Sequence, residues 1–280
     1  MKVEAGRVLV VGDPQTVEVL RGLTDIAGSQ IEGCSGESEA LRRLRRSGHD
    51  VVVTSRFTSM EEDLAFLHEA REARPGVRAI VIVPSAERAE VIESMRAHVF
   101  ALFTVPFDAD ELGTMIARAI AERDWKDDIE LVSGLPDWIS LRLSSRRVTA
   151  ERLVRFMEEL QSDVEEDSRH GLLAAFRELL INAMEHGAGF GTERTIEVSA
   201  VRTQRTIVFH FRDPGTGFRQ HQLGHSAISN PPEDPLRHMT QREALGLRPG
   251  GFGILIAHKV ADELYYNEIG NQVLLIKHLR

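Results

Sequence analysis

The sequence predicts two domains in tandem: first a doubly wound α/β domain on a parallel sheet, then a separate domain of mixed helices and strands. Three observations carry this reading. The chain has 280 residues, more than the roughly 100–200 that one core usually serves. Short β-branched runs alternate with helix-periodic stretches through its first half. Charged and turn-forming residues then cluster between Glu122 and Pro136, including Asp127-Asp128 and Ser133-Gly134-Leu135-Pro136, where a linker belongs. The predicted limits are 1–124, a linker at 125–137, and 138–280.

In the first half, strands are expected at Val8–Val11, Val51–Val53, Ala79–Val83 and Val99–Thr104, each a β-branched run bounded by turn residues. Helical spacing of apolar residues marks Val17–Leu23, Ser38–Ser47, Glu61–Arg71, Ala86–Ala97 and Asp110–Arg123. Such alternation implies a parallel sheet covered by helices on both faces.

Beyond the linker, Trp138–Leu143 reads as a strand and Thr149–Leu160 as a helix, with Thr149 as its N-cap. The helix expected at Arg169–His186 places Leu172, Phe176, Leu179, Leu180 and Ala183 on one face. Glu178, Asn182, Glu185 and His186 occupy a second face, which read alone fits a solvated stripe. Strands at Arg194–Ala200 and Thr206–Phe211 follow, the second running into Asp213-Pro214-Gly215-Thr216-Gly217. A carboxylate beside a backbone without side chains suits an adenine amino group, although a plain turn has the same composition. Gly250-Gly251-Phe252-Gly253 opens the apolar-periodic helix Ile254–Ala261, whose first N–H groups are donors for an anion. The chain finishes with a strand-like Glu263–Asn267, a turn at Gly270-Asn271 and the strand Gln272–Leu279.

Composition excludes several classes. A hydrophobic fraction of 42% and a charged fraction of 28% are those of a folded protein. The formal charge of −9 offers no general attraction for nucleic acid or anionic lipid, so neither is expected as a partner. With Cys34 as the only cysteine there is no intrachain disulfide, and it reads as a small buried residue rather than a reactive thiol. No apolar run approaches the roughly 20 residues of a membrane span, and no signal-peptide core follows Met1, so a cytoplasmic protein is expected. His221 and His225 are spaced like zinc ligands on a helix, but no third ligand accompanies them, and solvated lid histidines are the expectation.

The first half resembles the receiver domain of two-component signalling. The likeness lies in Val8-Leu9-Val10-Val11-Gly12-Asp13-Pro14, in Asp50-Val51-Val52-Val53-Thr54-Ser55, and in the run from Phe103 to Leu112. It implies a five-stranded sheet, but the receiver's chemical positions are degenerate. Ser55 stands where the phosphorylated aspartate belongs, Asp13 remains alone of the acidic pair, Val105 replaces the lysine, and only the hydroxyl of Ser85 is kept. One carboxylate cannot hold a hard octahedral ion unaided, so phosphorelay chemistry is expected to be absent.

The second half resembles the histidine-kinase-like ATPase superfamily through Glu178 with Asn182, Asp213-Pro214-Gly215-Thr216-Gly217, and Gly250-Gly251-Phe252-Gly253-Ile254. Within it the chain is most similar to the anti-sigma-factor serine kinases, on Ile139-Ser140-Leu141-Arg142-Leu143, Ala150 to Phe156 and Glu178-Leu179-Leu180-Ile181-Asn182-Ala183. A sensor histidine kinase would need two long helices in the roughly 45 residues between Arg123 and Arg169, which leave little room. The resemblance implies an α+β sandwich, a mixed or antiparallel sheet with helices on one face, that binds ATP with Mg²⁺. It assigns Glu178 as general base, Asn182 as Mg²⁺ ligand and Asp213 as adenine acceptor. Glu185, His186, Gly215, Gly217, Arg248, Gly250, Gly251, Phe252 and Gly253 complete the implied nucleotide site, under a lid at about 219–249. Implied partners are a sigma factor, a small antagonist protein and a second copy of the chain. Two other readings stay open: a nucleotide-dependent binding module without phosphotransfer, and an atypical histidine-kinase-related protein.

Overall fold

The computed structural model describes residues 5–23, 26, 28–55, 58–122, 127–217 and 252–279. The chain divides into two compact units, Met1–Asp127 and Asp128–Arg280.

The first unit is a five-stranded sheet in the order β2-β1-β3-β4-β5, formed by β1 (Arg7–Gly12), β2 (Gln30–Cys34), β3 (Val51–Ser55), β4 (Arg78–Val83) and β5 (Ala101–Thr104). Every pairing is parallel. The intervening helices are α1 (Pro14–Arg21), α2 (Glu37–Arg46), α3 (Met60–Ala73), α4 (Arg88–Arg96) and α5 (Ala109–Ala121). Strands β3 and β4 are buried at every position, as expected of central strands covered on both faces. Helix starts are chemically marked: Ser59 and Glu62 form a capping box on α3, and Asp108 accepts from the N–H groups of Asp110 and Glu111 on α5. Strand β2 has no counterpart in the sequence reading from residues. Its run Gln-Ile-Glu-Gly-Cys carries two polar residues and a glycine, a composition that an edge strand tolerates. Gly33 is required there because a β-carbon would press on Val17 of α1. Cys34 is buried and unpaired, and burial raises its thiol pKa, which suits packing rather than reactivity.

The second unit is an antiparallel six-stranded sheet in the order β10-β11-β9-β8-β7-β6. Its strands are β6 (Ile129–Leu135), β7 (Trp138–Ser145), β8 (Gly191–Arg202), β9 (Thr206–Arg212), β10 (Glu263–Tyr266) and β11 (Gln272–His278). Among the described residues its helices include α6 (Arg147–Leu160), α7 (Glu166–Asn182) and α8 (Gly253–Val260). Alternate strand residues point into the core, including Ile139, Leu141 and Leu143 of β7, Ile196 and Val198 of β8, and Phe209 and Phe211 of β9. Phe176 of α7 packs between those two phenylalanines, with ring centroids 4.8 and 5.0 Å away. Fully burying each such ring is worth about 1.5–3 kcal/mol, so this triple anchors α7 to the sheet.

Three expectations are corrected. Most of the segment read as a linker, 129–135, is the edge strand β6, paired with β7 through a bulge between Leu131 and Ser133. Its turn-like composition is that of a bulged edge. Thr149 is not an N-cap: α6 starts at Arg147, where an Arg146–Asp128 ion pair of 2.5 Å holds the chain. The Thr149 side chain is fully buried within the first turn, 3.4 Å from Asp128. The helix expected through His186 is α-helical only to Asn182 and continues as a π-helical turn over Ala183–Ala188.

Candidate nucleotide site

Helix α7 is the spine of the site. Glu178 and Asn182 are four residues apart on its α-helical part, so both side chains leave the same side. Glu178 is one-third exposed, and its Oε1 lies 3.7 Å from Arg177 Nη1. The start of α8 comes up directly against it. A β-carbon on Gly253 would sit 2.5 Å from Glu178 Oε2 and 3.2 Å from its Cβ. Glycine is therefore what lets the first turn of α8, where N–H groups have no partner within the helix, adjoin the carboxylate. Phe252, immediately before α8, is partly exposed.

The π-helical turn brings the other end of α7 to the loop after β9. Three donors converge on the Met184 carbonyl: the N–H groups of Gly189 (2.8 Å) and Phe190 (3.1 Å), and the buried Ser145 hydroxyl (3.1 Å). The chain leaves through Gly189 with a left-handed φ of 72°. Gly187, inside the turn, lies against Asp213 so closely that a β-carbon there would overlap the carboxyl group. On its other side Gly215 donates its N–H to Asp213 Oδ1 at 2.8 Å, and a β-carbon on Gly215 would come within 2.7 Å of that oxygen. The carboxyl is thus held in a cradle of two glycines, with Oδ2 without a hydrogen-bond partner among the described residues. Burial raises the Asp213 pKa, opposed by the Gly215 hydrogen bond. A half-buried acceptor in contact with bare backbone fits a flat base bearing an amino group.

Residue order along α7 sets out the chemistry. Glu178 adjoins the start of α8, Asn182 follows one turn later, and Gly187 touches Asp213. Glu178 and Gly187 are nine positions apart, one on the α-helical part and the other in the π-helical turn, so the two clusters lie toward opposite ends of one continuous helical segment. Glu185 is half-buried and His186 exposed in the π-helical turn, which offsets them from the Glu178–Asn182 face. Gly217 has φ 74° and packs on the Ile269 carbonyl, which leaves no room for a side chain. Arg248, Gly250, Gly251, His221, His225 and the lid expected at 219–249 lie outside the described residues. Sequence reasoning missed Gly187, whose position after Glu185-His186 reads as an ordinary helix end, and the asparagine pair of the β10–β11 turn described below.

In the first unit, Asp13, Ser55, Ser85 and Val105 all stand at the carboxyl ends of strands, the end at which ligands bind in open α/β sheets. Asp13 N–H donates to the Ser55 carbonyl at 3.1 Å. The Asp13 carboxylate caps α1 through the Gln15 N–H, 3.0 Å away. Ser55 is fully buried, and its hydroxyl has no hydrogen-bond partner among the described residues. Ser85 and Val105 are exposed.

Residues 143–277 match the family described as the histidine kinase-like ATPase domain. The match lies within the second unit, whose antiparallel sheet and helices are consistent with a histidine kinase-like ATPase domain, and domains of this type bind ATP, ordinarily with Mg²⁺. No curated protein matches the chain. Among solved structures, a response regulator from Thermotoga maritima is 24% identical, covering 42% of this chain and 100% of its own, with a TM-score of 0.39. A CheY-like receiver domain protein from Methanospirillum hungatei JF-1 is 17% identical over 43% of this chain and 98% of its own, with a TM-score of 0.36. The pilus assembly protein CpaE from Caulobacter crescentus CB15 is 16% identical over 41% and 97%, with a TM-score of 0.34. The receiver-like fold of the first unit rests on its strand order and all-parallel register.

Proposed function

We propose that this chain is an ATP-binding signalling regulator, a serine protein kinase of the anti-sigma-factor type that phosphorylates a small antagonist protein. The observation that supports this most directly is the approach of Gly253 to Glu178, which sets a carboxylate beside the first turn of α8. In this reading Asp213 accepts a hydrogen bond from the adenine amino group, Asn182 holds Mg²⁺, and the α8 N–H groups face the phosphates. Bound Mg-ATP supplies the transferable phosphoryl group and the positive charge that offsets its oxygens. Glu178 takes the proton of the attacking serine hydroxyl, or of a water, from within hydrogen-bond reach. Residues 129–160 form two strands and one helix, not the long helical hairpin that a sensor histidine kinase would need between Arg123 and Arg169. That favours the serine-kinase branch.

The receiver-like unit serves, in the same proposal, as a docking or dimerisation domain rather than a phosphoryl acceptor, since a buried hydroxyl occupies the aspartate position. A homodimer is also proposed, with a sigma factor as the sequestered partner. The sheet of the second unit supports self-association. Leu135, Trp138, Val201, Val208 and Ile276 stand opposite one another across five strands on the face turned away from the core. Leu135, Trp138 and Val201 are 56%, 51% and 36% exposed.

Calorimetry with Mg-ATP tests the reading. Wild type is expected to bind, and Asp213→Ala and Asn182→Ala to weaken binding at least about tenfold, the loss of roughly one charge-assisted contact each. Unchanged affinity in either variant would show the site to be wrongly assigned.

A further inference from the structure

The turn between β10 and β11 is tied to the loop after β9 by two asparagines, Asn267 and Asn271. Asn267 Oδ1 accepts from three backbone N–H groups of its own turn, those of Gly270 (2.8 Å), Asn271 (3.0 Å) and Gln272 (3.1 Å). Its Nδ2 donates to Asn271 Oδ1 at 2.8 Å. That bond fixes which way the Asn271 amide faces, because its oxygen is occupied and its Nδ2 must point the other way. Nδ2 then donates to two carbonyls of the loop after β9, Asp213 (3.3 Å) and Gly215 (3.4 Å). The Asn271 carbonyl accepts from the Asp213 N–H at 3.0 Å, and Gly217 rests on the Ile269 carbonyl of the same turn. Asp213 is therefore gripped through its main chain on both sides, while its carboxyl lies between Gly187 and Gly215.

We infer that Asn271, oriented by Asn267, is a positioning residue that sets the Asp213 carboxyl for base recognition, making the β10–β11 turn a determinant of purine specificity. The inference rests on Asp213 being the base acceptor. Rigidity matters there because discrimination by a hydrogen bond depends on holding the acceptor where an amino group fits and a competing acceptor is repelled. Without the Asn271 amide, the Asp213–Gly215 segment keeps the main-chain bond from the Asp213 N–H to the Asn271 carbonyl but loses both side-chain ties. The carboxyl can then turn to solvent, where its charge is better hydrated.

The experiment compares ADP with inosine diphosphate on the full chain, with Mg²⁺, by calorimetry. The 6-oxo group of inosine puts an acceptor where adenine has a donor, so wild type is expected to prefer ADP by at least about tenfold. Asn271→Ala is expected to weaken ADP binding about tenfold while changing inosine diphosphate binding by no more than about twofold, so the preference collapses. Asn267→Asp is the second variant. It keeps an acceptor for the three turn N–H groups but cannot donate to Asn271, whose amide is then drawn round toward the new carboxylate. It should reproduce the loss of preference with the fold intact by circular dichroism. A wild-type preference that survives in both variants would overturn the inference, as would equal losses for the two nucleotides. Absence of any ADP preference in wild type would instead refute Asp213 as the base acceptor.

Discussion

At the scale of single residues the site is defined as much by missing side chains as by present ones. Gly187→Ala adds a β-carbon into the Asp213 carboxyl. Alanine ordinarily gains up to about 1 kcal/mol over glycine inside a helix, but overpacking costs about 1–3 kcal/mol, so the clash wins. The variant is expected to be destabilised in a denaturant titration and to lose ATP binding; a gain in stability would show that the π-helical turn relaxes freely. Asp213 carries a cost of its own. Its folded pKa is raised by burial above the ordinary 3.8. The folded state thus binds that proton more tightly than the unfolded chain does, and the resulting stability is complete below pH 3.8 and is lost as pH rises through the raised value. Asp213→Asn should therefore melt higher than wild type at pH 7 without nucleotide, yet bind ATP more weakly. A lower melting temperature at pH 7 would contradict the burial argument. For Glu178, replacement by glutamine preserves shape and removes the proton-accepting charge. Nucleotide affinity should stay within a few-fold while phosphorylation of the antagonist protein falls about 10²- to 10⁴-fold. A binding module without chemistry predicts negligible transfer by wild type and no change on substitution.

Among the elements, α6 contains the sharpest energetic contrast. Arg155 is nearly buried and pairs with both Glu158, at 2.6 Å, and Glu159. The Glu159 side chain is only 3% exposed, whereas that of Glu158 is 26% exposed. Losing the buried member of an ion pair costs up to about 3–5 kcal/mol, because its attraction acts where water screens least, while a partly solvated partner contributes about 0–1 kcal/mol. Glu159→Ala should shift the urea midpoint far more than Glu158→Ala, and equal shifts would mean that water reaches the Arg155 guanidinium. The same attention to environment explains which elements were legible. The helices and central strands of the first unit follow from β-branched runs and 3.6-residue spacing, because burial on both faces writes itself into composition. Strands β2 and β6 were not legible. Both are edge strands, and an edge needs polar, glycine-containing or bulged sequence to avoid pairing with other chains. The π-helical turn was hidden for another reason: Glu185-His186-Gly187 has nothing that separates it from helix, and only tertiary contacts from Ser145 and Asp213 select the wider turn.

For the whole molecule, the outer face of the second sheet grades from the apolar row ending at Ile276 to a charged row of Glu130, Arg142, Glu197 and Arg212. That row is balanced in charge although the chain carries −9, so two copies can meet there without the repulsion felt elsewhere on the surface. Sedimentation of wild type should give a dimer, and Trp138→Asp with Val201→Lys a monomer. A dimer that survives both substitutions places the interface elsewhere. The first unit should not form a stable acyl phosphate with acetyl phosphate, since Ser55 supplies no carboxylate. An acid- and base-labile phosphoryl group on this half would overturn its proposed docking role.

The sequence by itself determined the two-unit organisation, the parallel character of the first sheet, and the residue types of the proposed nucleotide site: Glu178, Asn182, Asp213 and the glycines around them. Those are local properties, since periodicity, turn chemistry and short motifs each depend on a few consecutive residues. Tertiary structure alone decided that Gly253 meets Glu178, that Gly187 and Gly215 enclose one carboxyl, and that Asn271 reaches back to Asp213 from 58 positions away. Contacts of that kind depend on strand register and on where a helix widens by one residue. Register follows from the summed packing of both sheet faces, which no short stretch of sequence contains.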